Sequence, residues 1–193
     1  VKPRMRGQCF LVRFADDFVI GFQHEDDARR VMEVLPKRFA KYGLEIHPEK
    51  SRLLSFGKPA SSKEVTRGDN TFDFLGFTHY WARSRNGYWV IKRKTARKKV
   101  RKTVQALWIW CRNNRHMDLV KQHRILCSKL RGHFQYFGVP CNMRSMVAVL
   151  HHAKRGWNYW LNRRSSKKAL DWEKFRVFLD SMPLPSPKII HNV

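Results

Sequence analysis

Two adjacent carboxylates, Asp16 and Asp17, interrupt two apolar runs, Leu11-Val12-Arg13-Phe14 before them and Phe18-Val19-Ile20 after them. Both runs read as β-strands, in which neighbouring side chains point to opposite faces. A pair of acids reaches one solvent-filled cleft most easily where the chain turns between paired strands, which predicts a hairpin with the acids at its tip. Two anionic oxygen donors held together repel one another unless a hard divalent cation screens them, and the cation they suit is Mg²⁺ holding substrate phosphates. A solvated Asp-Asp turn is the plain alternative for the motif standing alone.

The residues that follow extend the pattern. His24 to Tyr42 predicts an amphipathic helix with an acidic start and a stripe of Val31, Met32, Leu35, Phe39 and Tyr42. Then come Tyr42-Gly43-Leu44-Glu45-Ile46-His47-Pro48-Glu49-Lys50-Ser51 and Phe72-Asp73-Phe74-Leu75-Gly76-Phe77. Phe14-Ala15-Asp16-Asp17 resembles the Tyr/Phe-Ala-Asp-Asp palm motif of reverse transcriptases. The second segment resembles that family's Gly-Leu-x-Leu-Asn-x-x-Lys-Thr stretch, and the third its Phe-Leu-Gly-Phe primer-grip hairpin. Three motifs in order are far more specific than one. Farther on, Leu130-Arg131-Gly132-His133-Phe134-Gln135-Tyr136-Phe137-Gly138-Val139 and Trp160-Leu161-Asn162-Arg163-Arg164-Ser165 resemble the thumb, or maturase-specific region, of bacterial group II intron reverse transcriptases, and Pro183 to His191 resembles their tail. Phe14 stands for the commoner Tyr, His47 for Asn and Ser51 for Thr. The family's fingers and first catalytic Asp precede the Asp pair by far more than fifteen residues, so the expectation is a C-terminal part of a larger protein or a reading frame that has lost its front half.

The expected fold class is α+β. A partial polymerase palm of antiparallel hairpins with a helix occupies residues 1–92, and an all-α three-helix thumb bundle with a Pro-rich tail occupies 93–193. In the first part, strands are predicted around Arg52 to Phe56, at Phe72 to Tyr80 and at Gly87 to Lys92, with a polar loop from Gly57 to Asn70. In the second, helical stripes run through Val100, Val104, Leu107, Trp108 and Cys111, through Leu126, Leu130, Phe134 and Phe137, and through Met146, Leu150, Ala153, Trp157 and Leu161. Asn142 is the expected cap of the third helix, Gly138 with Pro140 ends the second, and Trp172, Phe175 and Leu179 suggest a short fourth.

Charge divides the chain in the same place. Lys and Arg number 40 against 15 Asp and Glu, a net +25. Residues 1–90 hold 16 basic and 11 acidic side chains, net +5, and residues 91–193 hold 24 and 4, net +20. Such a field calls for a polyanion, with nucleic acid the default partner. Eight of the eleven residues from Lys92 to Lys102 are basic, and the apolar stripe starting at Val100 predicts a basic helix there rather than a tail. Tyr88, Trp89 and Tyr136 are aromatics for stacking on bases or for core packing. No apolar run approaches a membrane span and no signal peptide is read, so a cytoplasmic, bacterial location without membrane contact is expected. Cys9, Cys111, Cys127 and Cys141 lack Cys-x-x-Cys spacing and read as reduced core residues; His151 and His152 read as facing two sides of a helix.

The resemblance implies RNA-directed DNA synthesis by two-metal nucleotidyl transfer, with Asp16 the shared Mg²⁺ ligand, Asp17 the supporting acid, the second half of the metal site upstream, and Lys50 a general acid toward pyrophosphate. It implies a primer grip of Phe74, Leu75, Gly76 and Phe77. Nucleic acid is expected on Lys94, Arg97, Lys98, Lys99, Arg101, Lys102, Arg131, Arg163 and Arg164. The implied partners are group II intron RNA, an RNA template with a DNA primer, deoxynucleoside triphosphates, and the missing N-terminal half or a second copy of the chain. The other reading is a non-catalytic RNA-binding module, the maturase face of the same proteins.

Overall fold

Apolar side chains find their cover in two different ways along this chain. In the computed structural model, which describes residues 5–61, 70–164 and 170–191, ten elements follow one another. They are β1 (Cys9–Phe14), β2 (Asp17–Phe22), α1 (Glu25–Ala40), β3 (Thr71–Phe74), β4 (Phe77–Arg83), β5 (Trp89–Thr95), α2 (Arg97–Asn113), α3 (Leu119–Phe137), α4 (Met143–Leu161) and α5 (Trp172–Ser181). β1 and β2 form one antiparallel sheet, and β3, β4 and β5, in that order, form a second. The fold is α+β. Its contacts divide it into two units, Val1–Leu75 with Arg83–Trp89, and Gly76–Ala82 with Val90–Val193.

In the first unit, α1 starts on the acidic turn Glu25, Asp26 and Asp27 and ends with Lys37 and Arg38 in its last turn, the charge order that a helix dipole favours. Asp27 is buried, and its Oδ2 accepts from the Arg6 and Gly7 amides at 2.9 and 3.3 Å, which pins the incoming chain to the helix. Phe18 meets Phe39 edge to face at 6.1 Å, so α1 covers the sheet face carrying Phe18. The covered stripe is Ala28, Val31, Leu35 and Phe39; Met32 and Tyr42, expected on it, are exposed. No strand forms over 52–56. That stretch lies alongside β3 through the Arg52 guanidinium, which donates to the Thr71 carbonyl at 3.0 Å, and through Phe56, which packs on Phe72 at 4.9 Å. Part of the loop expected from Gly57 to Asn70 lies outside the described residues, as does Ser165 of the second thumb segment.

The second unit holds the core. Leu107, Cys111, Leu126, Cys127, Leu130, Phe134, Phe137, Met146, Val149, Ala153, Trp157 and Phe175 form one buried cluster drawn from α2, α3, α4 and α5. All three predicted stripes supply it, although Trp108 stays at its rim. Two long-range clamps pair buried polar side chains of this unit. Trp157 Nε1 donates to Gln122 Oε1, whose amide nitrogen donates to the Asn114 carbonyl at 2.7 Å. Asn142 does not cap α4 with its side chain. Its Oδ1 accepts from the Thr95 amide at 2.7 Å, and its Nδ2 donates to Thr95 Oγ1 and the Phe137 carbonyl, each at 2.8 Å. The end of β5 is thereby tied to the joint between α3 and α4.

The Pro-rich tail is part of this core rather than an appendage. Leu184 is buried, His123 Nε2 donates to the Pro183 carbonyl at 3.0 Å, and the Ile190 and His191 amides donate to the Gly138 carbonyl at 2.7 and 3.0 Å. A Cβ on residue 138 would lie 2.6 Å from the Phe134 carbonyl oxygen and 2.8 Å from that of Lys188, so glycine is what lets the tail pass. Of the cysteines, Cys111 and Cys127 are core residues, Cys9 is half-buried and Cys141 is exposed in a turn at φ +69. The expectation of four core cysteines fails at Cys141 because Gly138 and Val139, just after α3, take the buried places there.

Candidate active-site hairpin and nucleic-acid interface

The β1–β2 register pairs Leu11 with Ile20, Val12 with Val19, Arg13 with Phe18 and Phe14 with Asp17, which leaves a two-residue turn of Ala15 and Asp16. Turns this short need a left-handed residue, and Ala15 supplies it at φ +52. A non-glycine residue there carries a strain of roughly 1 kcal/mol, held by the flanking ladder. The expected geometry is therefore present: Asp16 lies in the turn, Asp17 closes the ladder, and both are exposed. Neither carboxylate has a hydrogen bond or ion pair among the described residues, so all four oxygens are available to a ligand. Their chemistry fits a hard cation such as Mg²⁺, which takes one or two carboxylates and keeps waters or substrate phosphates for the rest. Among the described residues no third His, Cys, Asp or Glu is grouped with them.

A second hairpin repeats the device. Leu75 at φ +50 and Gly76 at φ +80 join β3 to β4, the two positive values that a type I′ turn demands. Glycine is needed at 76 for its φ, since a Cβ there would find ordinary contact distances of 3.6–3.7 Å. Phe74 and Leu75 belong to the first unit, Gly76 and Phe77 to the second. The Gly76 carbonyl accepts from the Ala96 amide at 2.9 Å, and Phe77 stacks on Tyr136 at 5.9 Å and meets Phe137 edge-on at 5.1 Å. Phe77 is a packing residue of the bundle, and its ring is half-buried. Lys50 is exposed in the turn closed by the Lys50 and Ser51 amides donating to the His47 carbonyl.

The basic run is divided between two elements. Lys92, Arg93 and Lys94 lie in β5, whereas Arg97, Lys98, Lys99, Arg101 and Lys102 fill the opening turns of α2. The single basic helix read from the sequence is thus corrected: the strand runs three residues farther because Thr95 is captured by Asn142. Lys94 sits 4.9 Å over the Tyr80 ring. The five α2 cations are exposed and have no ion-pair partner among the described residues. Five like charges at a helix N-terminus oppose one another and the helix dipole, an arrangement that a polyanion relieves. Arg131 is exposed on α3. Arg163, after the end of α4, lays its guanidinium 3.7 Å over Tyr159, and Arg164 is half-buried beside it.

Residues 1–79 match the family described as reverse transcriptase (RNA-dependent DNA polymerase). The match spans the Asp hairpin, α1, the Gly43–Ser51 segment and β3, and ends inside β4. This stretch is therefore similar to reverse transcriptases, RNA-directed DNA polymerases. No curated protein and no solved structure matches the chain. Among the described residues no helix is long and apolar enough to cross a membrane.

Two partly exposed aromatics outside the sequence-predicted site residues lie beside cations on α4 and α5. Tyr159 and Trp172 are 38% and 41% exposed beside Arg163 and Arg155, respectively. The visible signal was an α4 free of acidic residues with aromatics one turn from arginines.

Proposed function

We propose that residues 1–79 form the Asp-Asp half of the catalytic centre of a group II intron type reverse transcriptase, and that the helical unit binds its nucleic acid. The observation that carries this reading is the two-residue turn that leaves Asp16 and Asp17 exposed and without a competing cation. In this reading the pair holds Mg²⁺, and a further carboxylate comes from the palm strand that the resemblance places ahead of β1. Bound there, Mg²⁺ would make a primer hydroxyl more acidic and neutralise charge on a deoxynucleoside triphosphate. Lys50 donates a proton to the departing pyrophosphate, Phe74 to Phe77 place the primer end, and small Ala15 leaves it room. Arg97, Lys98, Arg101 and Lys102 neutralise the backbone of the template–product duplex, a contact that is strong and independent of sequence.

Primer extension tests the reading in a chimera that joins this chain to the fingers and first palm strand of a group II intron reverse transcriptase. Incorporation of deoxynucleotides with Mg²⁺ should fall at least about 1,000-fold in Asp16→Ala, and by about 100-fold, the lower end for a general acid, in Lys50→Ala. Retention of most activity in Asp16→Ala would remove Asp16 as the metal ligand.

A second reading, a non-catalytic module that steadies intron RNA for splicing, is favoured by the unpaired α2 cations and the +20 of residues 91–193. Both readings require salt-sensitive binding. Replacing Arg97, Lys98, Arg101 and Lys102 with Gln should flatten the log–log salt slope for structured RNA by about 2 to 4 units, at roughly 0.9 per duplex phosphate contact. Asp16→Asn should leave the slope unchanged. An unaltered slope in the quadruple variant would move the interface off α2.

A further inference from the structure

α4 turns His151 and Arg155 outward one helical turn apart, and Trp172, the first residue of α5, completes an open cleft with them. Three features make this more than a surface depression. The indole of Trp172 is 41% exposed, yet it leans on the fully buried Phe175 at 5.5 Å and 39°, so its plane is fixed by the core while much of its ring meets solvent. The approach to α5 is also fixed, because the Asn162 side chain both donates to the Leu170 carbonyl, at 2.9 Å, and accepts from the Leu170 amide. Finally, the cations at the cleft have no ion-pair partner among the described residues. α4 contains no acidic residue, and the Asp171 carboxylate beside Trp172 is engaged by the Lys174 amide at 2.8 Å and by Lys174 Nζ at 2.6 Å. Glu173, exposed on α5 one residue past Trp172, has no ion-pair partner among the described residues.

A rigid aromatic plane, a guanidinium and an imidazole around one concavity match the parts of a nucleotide: the plane stacks a base, the guanidinium takes a phosphate, and the imidazole bonds sugar or base. The row continues one turn farther along α4 with Tyr159, whose ring already carries the Arg163 guanidinium at 3.7 Å. We propose that this cleft is a binding site for a nucleotide of single-stranded nucleic acid, with the base on Trp172 and the phosphate on Arg155. The site deepens the nucleic-acid reading of the helical unit and rests on it, while it is separate from the α2 cations assigned to duplex.

The test uses the full chain and three fluorescent probes at fixed salt: octauridine, octathymidine and a 20-base-pair duplex. Trp172→Ala should weaken single-strand binding about 5- to 100-fold, the range seen for loss of one stacked base, and leave duplex binding within two-fold. Trp172→Phe should keep most of the affinity. Arg155→Gln, a change of an exposed side chain that does not touch the core, should lower the single-strand salt slope by about 0.7. Octauridine bound more tightly than octathymidine assigns the site to RNA; equal binding assigns it to base and phosphate alone. Unchanged single-strand binding in Trp172→Ala and Arg155→Gln, or equal losses on single strand and duplex, would overturn the proposal. Should the unaltered chain bind none of the three probes, the nucleic-acid reading of the unit falls with it, which separates the two failures.

Discussion

Strand β1 and helix α4 are both rich in large apolar side chains, and they meet opposite fates. Phe10, Leu11, Val12 and Phe14 are 49–65% exposed, whereas Met146, Val149, Ala153 and Trp157 are at 0–1%. In α4 the apolar residues recur at the helical period, so one packed face hides them all. In β1 they are consecutive and point to both faces, a pattern suited to a strand covered on each side. The β1–β2 sheet has two strands and α1 packs over β2 through Phe18 and Phe39, so Phe10, Leu11, Val12 and Phe14 of β1 stay in solvent. Each such side chain forgoes roughly 1.5–3 kcal/mol of burial. The unit that carries the candidate catalytic acids is therefore the weakly held one, and the unit that carries the charge is the well-packed one.

The largest expected effect is in hydrogen exchange. Amides of α4 from Met146 to Trp157 should exchange only on global opening of their unit, and those of β1 and β2 at least about 1,000-fold faster. Equal protection in the two elements would show that β1 is covered in solution.

Deleting one polar group from each unit sharpens it. Asn142→Ala leaves the Thr95 amide and the Phe137 carbonyl buried without partners and should cost about 2–4 kcal/mol in urea unfolding followed by tryptophan fluorescence. Asp27→Ala frees the Arg6 and Gly7 amides, which are only partly buried, and should cost about 1 kcal/mol. Equal costs would contradict the difference in packing.

The smallest effects are in titration. Burial holds His133 below its ordinary range, so the folded state favours the neutral ring. Its contribution to stability is present above about pH 6.5 and is lost as pH falls through the lowered folded value. His133→Gln should reduce the acid sensitivity of the helical unit, and an identical pH profile would remove this residue as a cause. At the other end, burial pushes the Cys111 thiol up to about 12. Aromatic disulfide reagents at pH 8 should label exposed Cys141 first and leave Cys111 untouched until the protein unfolds.

Much of this was legible in the residues. The helix predicted from His24 to Tyr42 runs from Glu25 to Ala40, and Leu126, Leu130, Phe134 and Phe137 are all buried as their spacing requires. The Asp hairpin was legible because two apolar strands interrupted by Ala15-Asp16-Asp17 have few ways to turn. What failed did so where a local signal was outbid by a distant partner. The stretch Arg52 to Phe56 has strand-like residues and runs beside the edge strand β3, where the Arg52 and Phe56 side chains hold it without its joining the ladder. Asn142 has the side chain of a cap and spends it on Thr95, forty-seven positions away.

Neighbours along the chain set the period of each element, the placement of Asp16 in a hairpin turn with Asp17 directly after it, and the concentration of charge after residue 90. Only the tertiary structure decided that β5 reaches Thr95, that the tail crosses Gly138 as part of the core, and that Trp172 comes to rest beside Arg155. Those depend on which buried polar group finds which partner and on where helices meet, and neither is written in local spacing.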